Sequence, residues 1–458
     1  MNRSHVLSLL VVTAALTLLS ACENNNIIGT EDKTTSLQAD LAKKSLPQTG
    51  EYVVFAWNDL GMHCLNPTYD KAVILPPYNT LWAQVVKKGG EPTIVTSGIT
   101  VEYRIIGNTY SYGKRQYGQF WDYVKQLFGV TLAKNMGLNL KDPSVHNGLS
   151  GKMLAKGDHF EVDGIPVTPV NDAGQWNPYQ VAEITVKDVA GKVIAKTQAT
   201  VPTSDEINCA KCHKGANPFD DIIQKHNSMH KSVVLKAPVL CASCHPSPAL
   251  GSPAPKNGQK YLSLAIHKSH AARKAACYDC HPGNKTQCNR SISHTATDGK
   301  CTTCHGDMNK VASTIQSGGR IPWVNEPKCS ECHGKGSIAE VDTHTELYRN
   351  AKGHGGVYCA SCHGSPHAMV PSNQASDNYQ AIQYQGKSKT IGSCAVCHKG
   401  SKGGGEINEF AEEHGGSNPE KKTACNVCHT SVPTNTQKWP HSFQWKNRTS
   451  SGTTIVAK

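Results

Sequence analysis

The sequence predicts a mixed fold, in which an N-terminal mainly-β, sandwich-like domain is followed by a mostly irregular and α-helical domain with little regular sheet. Three observations lead there. Residues 51–201 carry runs of β-branched and aromatic residues bounded by turn residues, whereas residues 202–458 carry eight copies of one short cysteine motif in place of strand or helix periodicity. The chain is also only 38% hydrophobic and 6% aromatic, with 40 Gly and 24 Pro. That is thin for a conventional interior in 458 residues, so something other than side chains should fill part of it.

The chain opens on a predicted export signal, residues 1–21. Arg3 supplies the positive start, Val6 to Leu19 is apolar, and the stretch is too short to span a membrane. Leu19-Ser20-Ala21-Cys22 resembles the bacterial lipobox, which implies cleavage before Cys22 and acylation of that residue. Two or more acyl chains anchor a protein stably without a transmembrane helix. Residues 22–50 are polar and unpatterned, as a flexible tether would be.

In residues 51–201 the strand pattern falls on Tyr52 to Trp57, Ile94 to Ile106 and His159 to Val170, and on a hairpin of 181–187 with 192–201 around Asp188-Val189-Ala190-Gly191. Phe120, Trp121, Val124, Leu127 and Phe128 share one helical face, with Gly129 placed as a C-terminal cap. Asn58-Asp59-Leu60-Gly61-Met62-His63-Cys64 stands out, and His63 there is a candidate metal ligand. A single His beside a single Cys has no site spacing, which favours a buried loop. Cys64 and Cys288 are unpaired, and a disulfide between them is one reading of their presence in an exported chain.

Sixteen of the 19 cysteines form eight Cys-x-x-Cys pairs, each followed at once by histidine. They are Cys209/Cys212/His213, Cys241/Cys244/His245, Cys277/Cys280/His281, Cys301/Cys304/His305, Cys329/Cys332/His333, Cys359/Cys362/His363, Cys394/Cys397/His398 and Cys425/Cys428/His429. With 22 histidines in the chain, coincidence would give that pattern with a probability on the order of 10⁻¹¹. Two thiols at this spacing form thioethers with the vinyl groups of one porphyrin, and the adjacent imidazole reaches its iron as proximal ligand. The motifs therefore predict eight haem c groups. Zinc is the competing reading, but it takes four ligands and needs no histidine after every second cysteine.

A sixth ligand for each iron must come from elsewhere. Ten further histidines lie in residues 202–458: His226, His230, His267, His270, His294, His344, His354, His367, His414 and His441. They suffice for bis-histidine ligation at eight irons, whereas the methionines there are too few to be the general solution. Those just upstream of a motif, such as His267-x-x-His270, are the first choices; His367 and His441 are the ones a structural role would also explain. Of the formal net charge of +12, nearly all sits in residues 201–458. Sixteen haem propionates would offset it, which argues against a nucleic-acid partner.

Segments such as Cys277-Tyr278-Asp279-Cys280-His281-Pro282-Gly283, Cys301-Thr302-Thr303-Cys304-His305-Gly306-Asp307-Met308 and Cys359-Ala360-Ser361-Cys362-His363-Gly364 resemble the multihaem c-type cytochromes of metal-reducing and other anaerobically respiring bacteria. The resemblance is to an octahaem member of lipoprotein type, and Asn58 to Cys64 is similar to a stretch in N-terminal parts of large members. It implies edge-to-edge haems, electron transfer in anaerobic or extracellular respiration, and redox proteins or extracellular acceptors as partners. Lipid attachment at Cys22 would place the chain at the outer membrane, on its periplasmic or external face. The alternative is a terminal reductase with one open-coordination haem acting on an oxyanion or metal. Several such enzymes carry Cys-x-x-Cys-Lys at that haem, and this chain has none.

Overall fold

The computed structural model describes residues 50–283, 285–294, 301–329 and 347–399. The predicted signal, Cys22 and all of the tether before Gly50 lie outside the described residues, as do Cys332, His333, His344, His414, Cys425, Cys428, His429, His441 and the side chain of His354.

In chain order the strands are β1 (Tyr52–Trp57), β2 (His63–Cys64), β3 (Ala72–Val73), β4 (Asn79–Lys87), β5 (Thr93–Ile94) and β6 (Ile99–Ile105). They continue with β7 (Ser150–Lys152), β8 (Leu154–Lys156), β9 (His159–Ile165), β10 (Tyr179–Asp188), β11 (Val193–Ser204) and β12 (Val239–Leu240). Two five-stranded sheets form the mainly-β part, ordered β1-β4-β9-β8 with β5 also on β4, and β2-β11-β10-β6-β7. Val54, Ala56, Leu81, Ala83 and Val85 of the first sheet meet Val101, Tyr103, Ile105, Ile184, Val186 and Val201 of the second. The hairpin is as the sequence predicts, turning at Gly191 with φ +79°. The predicted run from Ile94 to Ile106 divides into β5 and β6, because Gly98 turns the chain at φ +70°. The run from His159 stops at Ile165, where Pro166 follows and has no N–H for the ladder.

β4 was not legible in the sequence, although it holds the centre of its sheet between β1 and β9. Asn79 to Val86 are all buried, so the strand lacks the polar alternation that marks a half-buried one. β1 has the same property. Val54 and Ala56 face the sandwich, whereas Val53, Phe55 and Trp57 face the other way and pack with Trp82, Val86, Tyr358, Ala360 and Val396.

The predicted helix is α1 (Gln119–Phe128), ended by Gly129 at φ 75°. Beyond β11 come α2 (Pro218–Met229), α3 (Leu262–Ala271), α4 (Cys301–His305), α5 (Met308–Gln316), α6 (Cys359–His363) and α7 (Tyr379–Gln385), all short and joined by irregular chain. Among the described residues, buried apolar side chains number 37 up to Val201 and only 14 after it, although more residues are described in the later part. The apolar clusters there are as small as Leu264, Ala312 and Ile315. This is the mixed architecture the sequence predicts.

The two parts interlock through α7. β1 is a sheet edge, and its open backbone groups are met by α7 side chains: Gln380 Oε1 accepts from Ala56 N at 2.9 Å, and the Tyr384 hydroxyl donates to Val54 O at 2.6 Å. Phe55 meets the Tyr384 ring edge-on, with centroids 5.5 Å apart. Phe55→Ala should therefore lower stability by about 3–5 kcal/mol, read as a lower urea midpoint; an unchanged midpoint would show that this face does not join the parts.

Candidate functional site

Each described cysteine motif adopts one tight turn. In four of them the His N–H donates to the first Cys carbonyl: His213 to Cys209 at 2.9 Å, His245 to Cys241 at 3.0 Å, His281 to Cys277 at 2.8 Å and His398 to Cys394 at 2.9 Å. Motifs four and six are single-turn helices, α4 and α6. One helical turn sets residues three and four apart on one side, so both sulfurs and the imidazole share a face. None of the described motif cysteines is in a disulfide.

In motifs one, two and four the two cysteines differ in exposure. Cys209 and Cys241 are half-buried and pack against the cluster of Ala72, Phe219 and Ile223, whereas Cys212 and Cys244 are exposed, as is Cys304. Cys212 and Cys244 stand at the far ends of their turns, as C-caps of the short 3-10 helices that begin at Cys209 and Cys241. The small apolar cluster that covers the first cysteine does not extend to the second.

The fold then brings a second imidazole to four of the motif histidines. His213 faces His270 with ring centroids 6.2 Å apart, and His245 faces His226 at 6.5 Å. His281 faces His267 at 6.2 Å, and His305 faces His367 at 6.1 Å. An iron held by two imidazole nitrogens at about 2 Å each separates the ring centroids by roughly 6 Å. The four separations match that span. His226 and His230, at 4.8 Å, are too close to stand on opposite sides of one iron.

The other ring nitrogen is tied down. Nδ1 donates to a carbonyl in His267 (Ser263 O, 2.7 Å), His270 (Ile266 O, 2.8 Å), His367 (Leu60 O, 3.1 Å), His398 (Gly90 O, 2.9 Å) and His245 (Lys260 O, 3.3 Å). In His213 it meets Asp221 Oδ2 at 2.9 Å. A carbonyl only accepts, so the proton sits on Nδ1 and the lone pair on Nε2, the arrangement of a metal-ligating histidine. Burial pushes His281 and His305 down to about 4, and neighbouring imidazoles add to it. Burial likewise lowers His226, His267, His367 and His398. His281 and His367 nevertheless keep exposed surface. Neutral imidazoles in paired slots, each beside two thiols on a turn, fit an iron porphyrin.

The motifs are also neighbours of one another. Lys211, inside the first motif, is salt-bridged to Asp279, inside the third. Burial raises the Cys277 thiol of the third motif, and the neighbouring Cys301 of the fourth adds to the rise. α3 carries both His267 and His270, three positions apart, so one helix serves the third motif and the first.

His270 lies upstream of the third motif but faces the first, and His367, read as open to a merely structural role, faces the fourth. His294 hydrogen-bonds Ser291 Oγ at 3.3 Å. His63 is buried and paired to Asp59 Oδ1 at 2.9 Å, which accounts for it without a metal. Cys64 and Cys288 are free thiols, not a disulfide. Burial raises both, Cys288 to about 11, and the Cys288 thiol adds to the rise at Cys64. Among the described residues no three His, Cys, Asp or Glu side chains converge on a bare metal ion.

No protein-family model matches the chain, and no curated protein matches it. Among solved structures it aligns with the crystal structure of MtrC from Shewanella baltica OS185 at 11% identity and a TM-score of 0.13. The match covers 58% of this chain and 45% of that one, so the chain spans less than half of that protein, and so low a score carries no argument. His270→Ala should leave the haem count unchanged and convert one low-spin ferric signal to high-spin in the electron paramagnetic resonance spectrum. His63→Gln should change none; the reverse pattern would refute these placements.

Proposed function

We propose that the chain is an exported, lipid-anchored electron-transfer protein that binds eight haem c groups and passes electrons along them. The observation that carries this reading is the set of four opposed imidazole pairs, each with one member in a Cys-x-x-Cys-His turn. Cys209/Cys212, Cys241/Cys244, Cys277/Cys280 and Cys301/Cys304 would hold the porphyrins beside these pairs, and Cys329/Cys332, Cys359/Cys362, Cys394/Cys397 and Cys425/Cys428 the other four. When bound, the iron porphyrins supply one-electron exchange between Fe(III) and Fe(II).

The chain's own residues set how that exchange proceeds. His213 with His270, His245 with His226, His281 with His267 and His305 with His367 would hold the irons and leave no position open to water or small ligands. The Lys211–Asp279 bridge joins motif one to motif three. Cys209 of motif one and Cys241 of motif two pack against the same cluster of Ala72, Phe219 and Ile223. Partners are other redox proteins or extracellular acceptors, reached from a lipid anchor at Cys22 on the outer membrane.

Bis-histidine ligation lacks the methionine that raises a haem potential. A redox titration of the purified protein should place the haem potentials mostly below zero, with low-spin ferric signals only. Potentials well above zero would contradict the proposal. A high-spin signal that responds to nitrite or hydroxylamine would favour the terminal reductase instead.

A further inference from the structure

Two elements of the β-rich part reach histidines of the later part through the same contact. The Leu60 carbonyl accepts from His367 Nδ1, and the Gly90 carbonyl accepts from His398 Nδ1. The first contact is built with unusual redundancy. Asn58 is fully buried; its amide donates to Asn79 Oδ1 at 2.6 Å and to Thr80 O at 2.7 Å, both on β4. Its oxygen accepts from Gly61 N at 2.7 Å and from Leu60 N at 3.2 Å, which fixes the turn that presents the Leu60 carbonyl.

Gly61 has φ +78°, and a Cβ there would stand 1.6 Å from the Pro366 carbonyl oxygen, so only glycine lets the turn close on residues 366–367. On the far side, buried Arg290 forks onto Asp377 at 2.8 and 3.2 Å and donates to Gly61 O at 2.8 Å. Its backbone N–H donates to His367 O at 2.6 Å. Ring and backbone of His367 are thus held separately, at the left-handed φ of +60°.

We propose that the Asn58–Gly61 turn, with Arg290, is a positioning element for His367: it fixes the tautomer and plane of the imidazole that faces His305, and makes it more electron-rich by accepting its Nδ1 proton in a hydrogen bond. This deepens the reading above and rests on it. The unusual Asn58-to-Cys64 stretch then belongs to the redox site without supplying a ligand.

The test compares Gly61→Ala with Gly137→Ala in the full-length protein. Gly137 is an equally tight site elsewhere in the β-rich part, where a Cβ would lie 1.7 Å from Gly164 O. Both variants should retain eight covalent haems by pyridine haemochrome assay. Gly61→Ala should shift the g values and midpoint potential of one low-spin haem in eight, and that haem should be the one that turns high-spin in His367→Ala. Gly137→Ala should leave all eight as in the wild type. Unchanged signals in Gly61→Ala, or the same shift in Gly137→Ala, would overturn the positioning role; absence of haem from the wild type would instead overturn the reading beneath it.

Discussion

The later half of this molecule depends on one arrangement: an imidazole whose Nδ1–H is committed to a fixed acceptor, with a second imidazole 6.1 to 6.5 Å away between ring centroids. Four such pairs occur at nearly equal spacing, and the acceptors are mostly backbone carbonyls, which do not titrate. A chain with so few buried apolar side chains beyond Val201 has little else to specify how its loops pack. A large apolar group held at each pair would provide the missing interior, and short turns joined by Gly- and Pro-rich loops are enough scaffold to hold it.

The β-rich part complements this weakness. Its sandwich is densely packed, and its outer face, around Trp57 and Trp82, is buried under Tyr358, Ala360 and Val396 near motifs six and seven. Tyr358 adds a polar contact there, with its hydroxyl 3.0 Å from both Asp158 Oδ1 and His159 Nδ1. The bidentate Arg290–Asp377 pair is buried, and such a pair costs desolvation that only full hydrogen bonding offsets. Arg290 meets that requirement by also donating to Gly61 and Gln287 carbonyls. A rigid body therefore supports an array whose own packing is sparse.

What the sequence disclosed follows from how local each feature is. The Cys-x-x-Cys-His motifs are legible because both thiols and the imidazole fall within one turn of chain. Their burial is not, because it depends on which neighbours reach them: the Phe219 cluster covers Cys209 and Cys241 and leaves Cys212 and Cys244 at the surface. The hairpin and α1 were legible because Gly191 and Gly129 mark their ends. Partner imidazoles were not, since His270 and His367 lie across the fold from the motifs whose His213 and His305 they face. β4 was missed because burial on both faces removes its alternation. Nor does any sequence pattern reveal that the Leu60 carbonyl meets His367, a backbone contact set by tertiary packing. Asn58 and Gly61 gave the only signal, as residues unusual in their company.

The most direct measurement is anomalous diffraction from crystals of the mature protein at the iron absorption edge. The account predicts one iron midway between the Nε2 atoms of His213 and His270, and likewise for His245 with His226, His281 with His267, and His305 with His367. Any of these pairs with no iron between them, or with its iron bound by another residue, would contradict it.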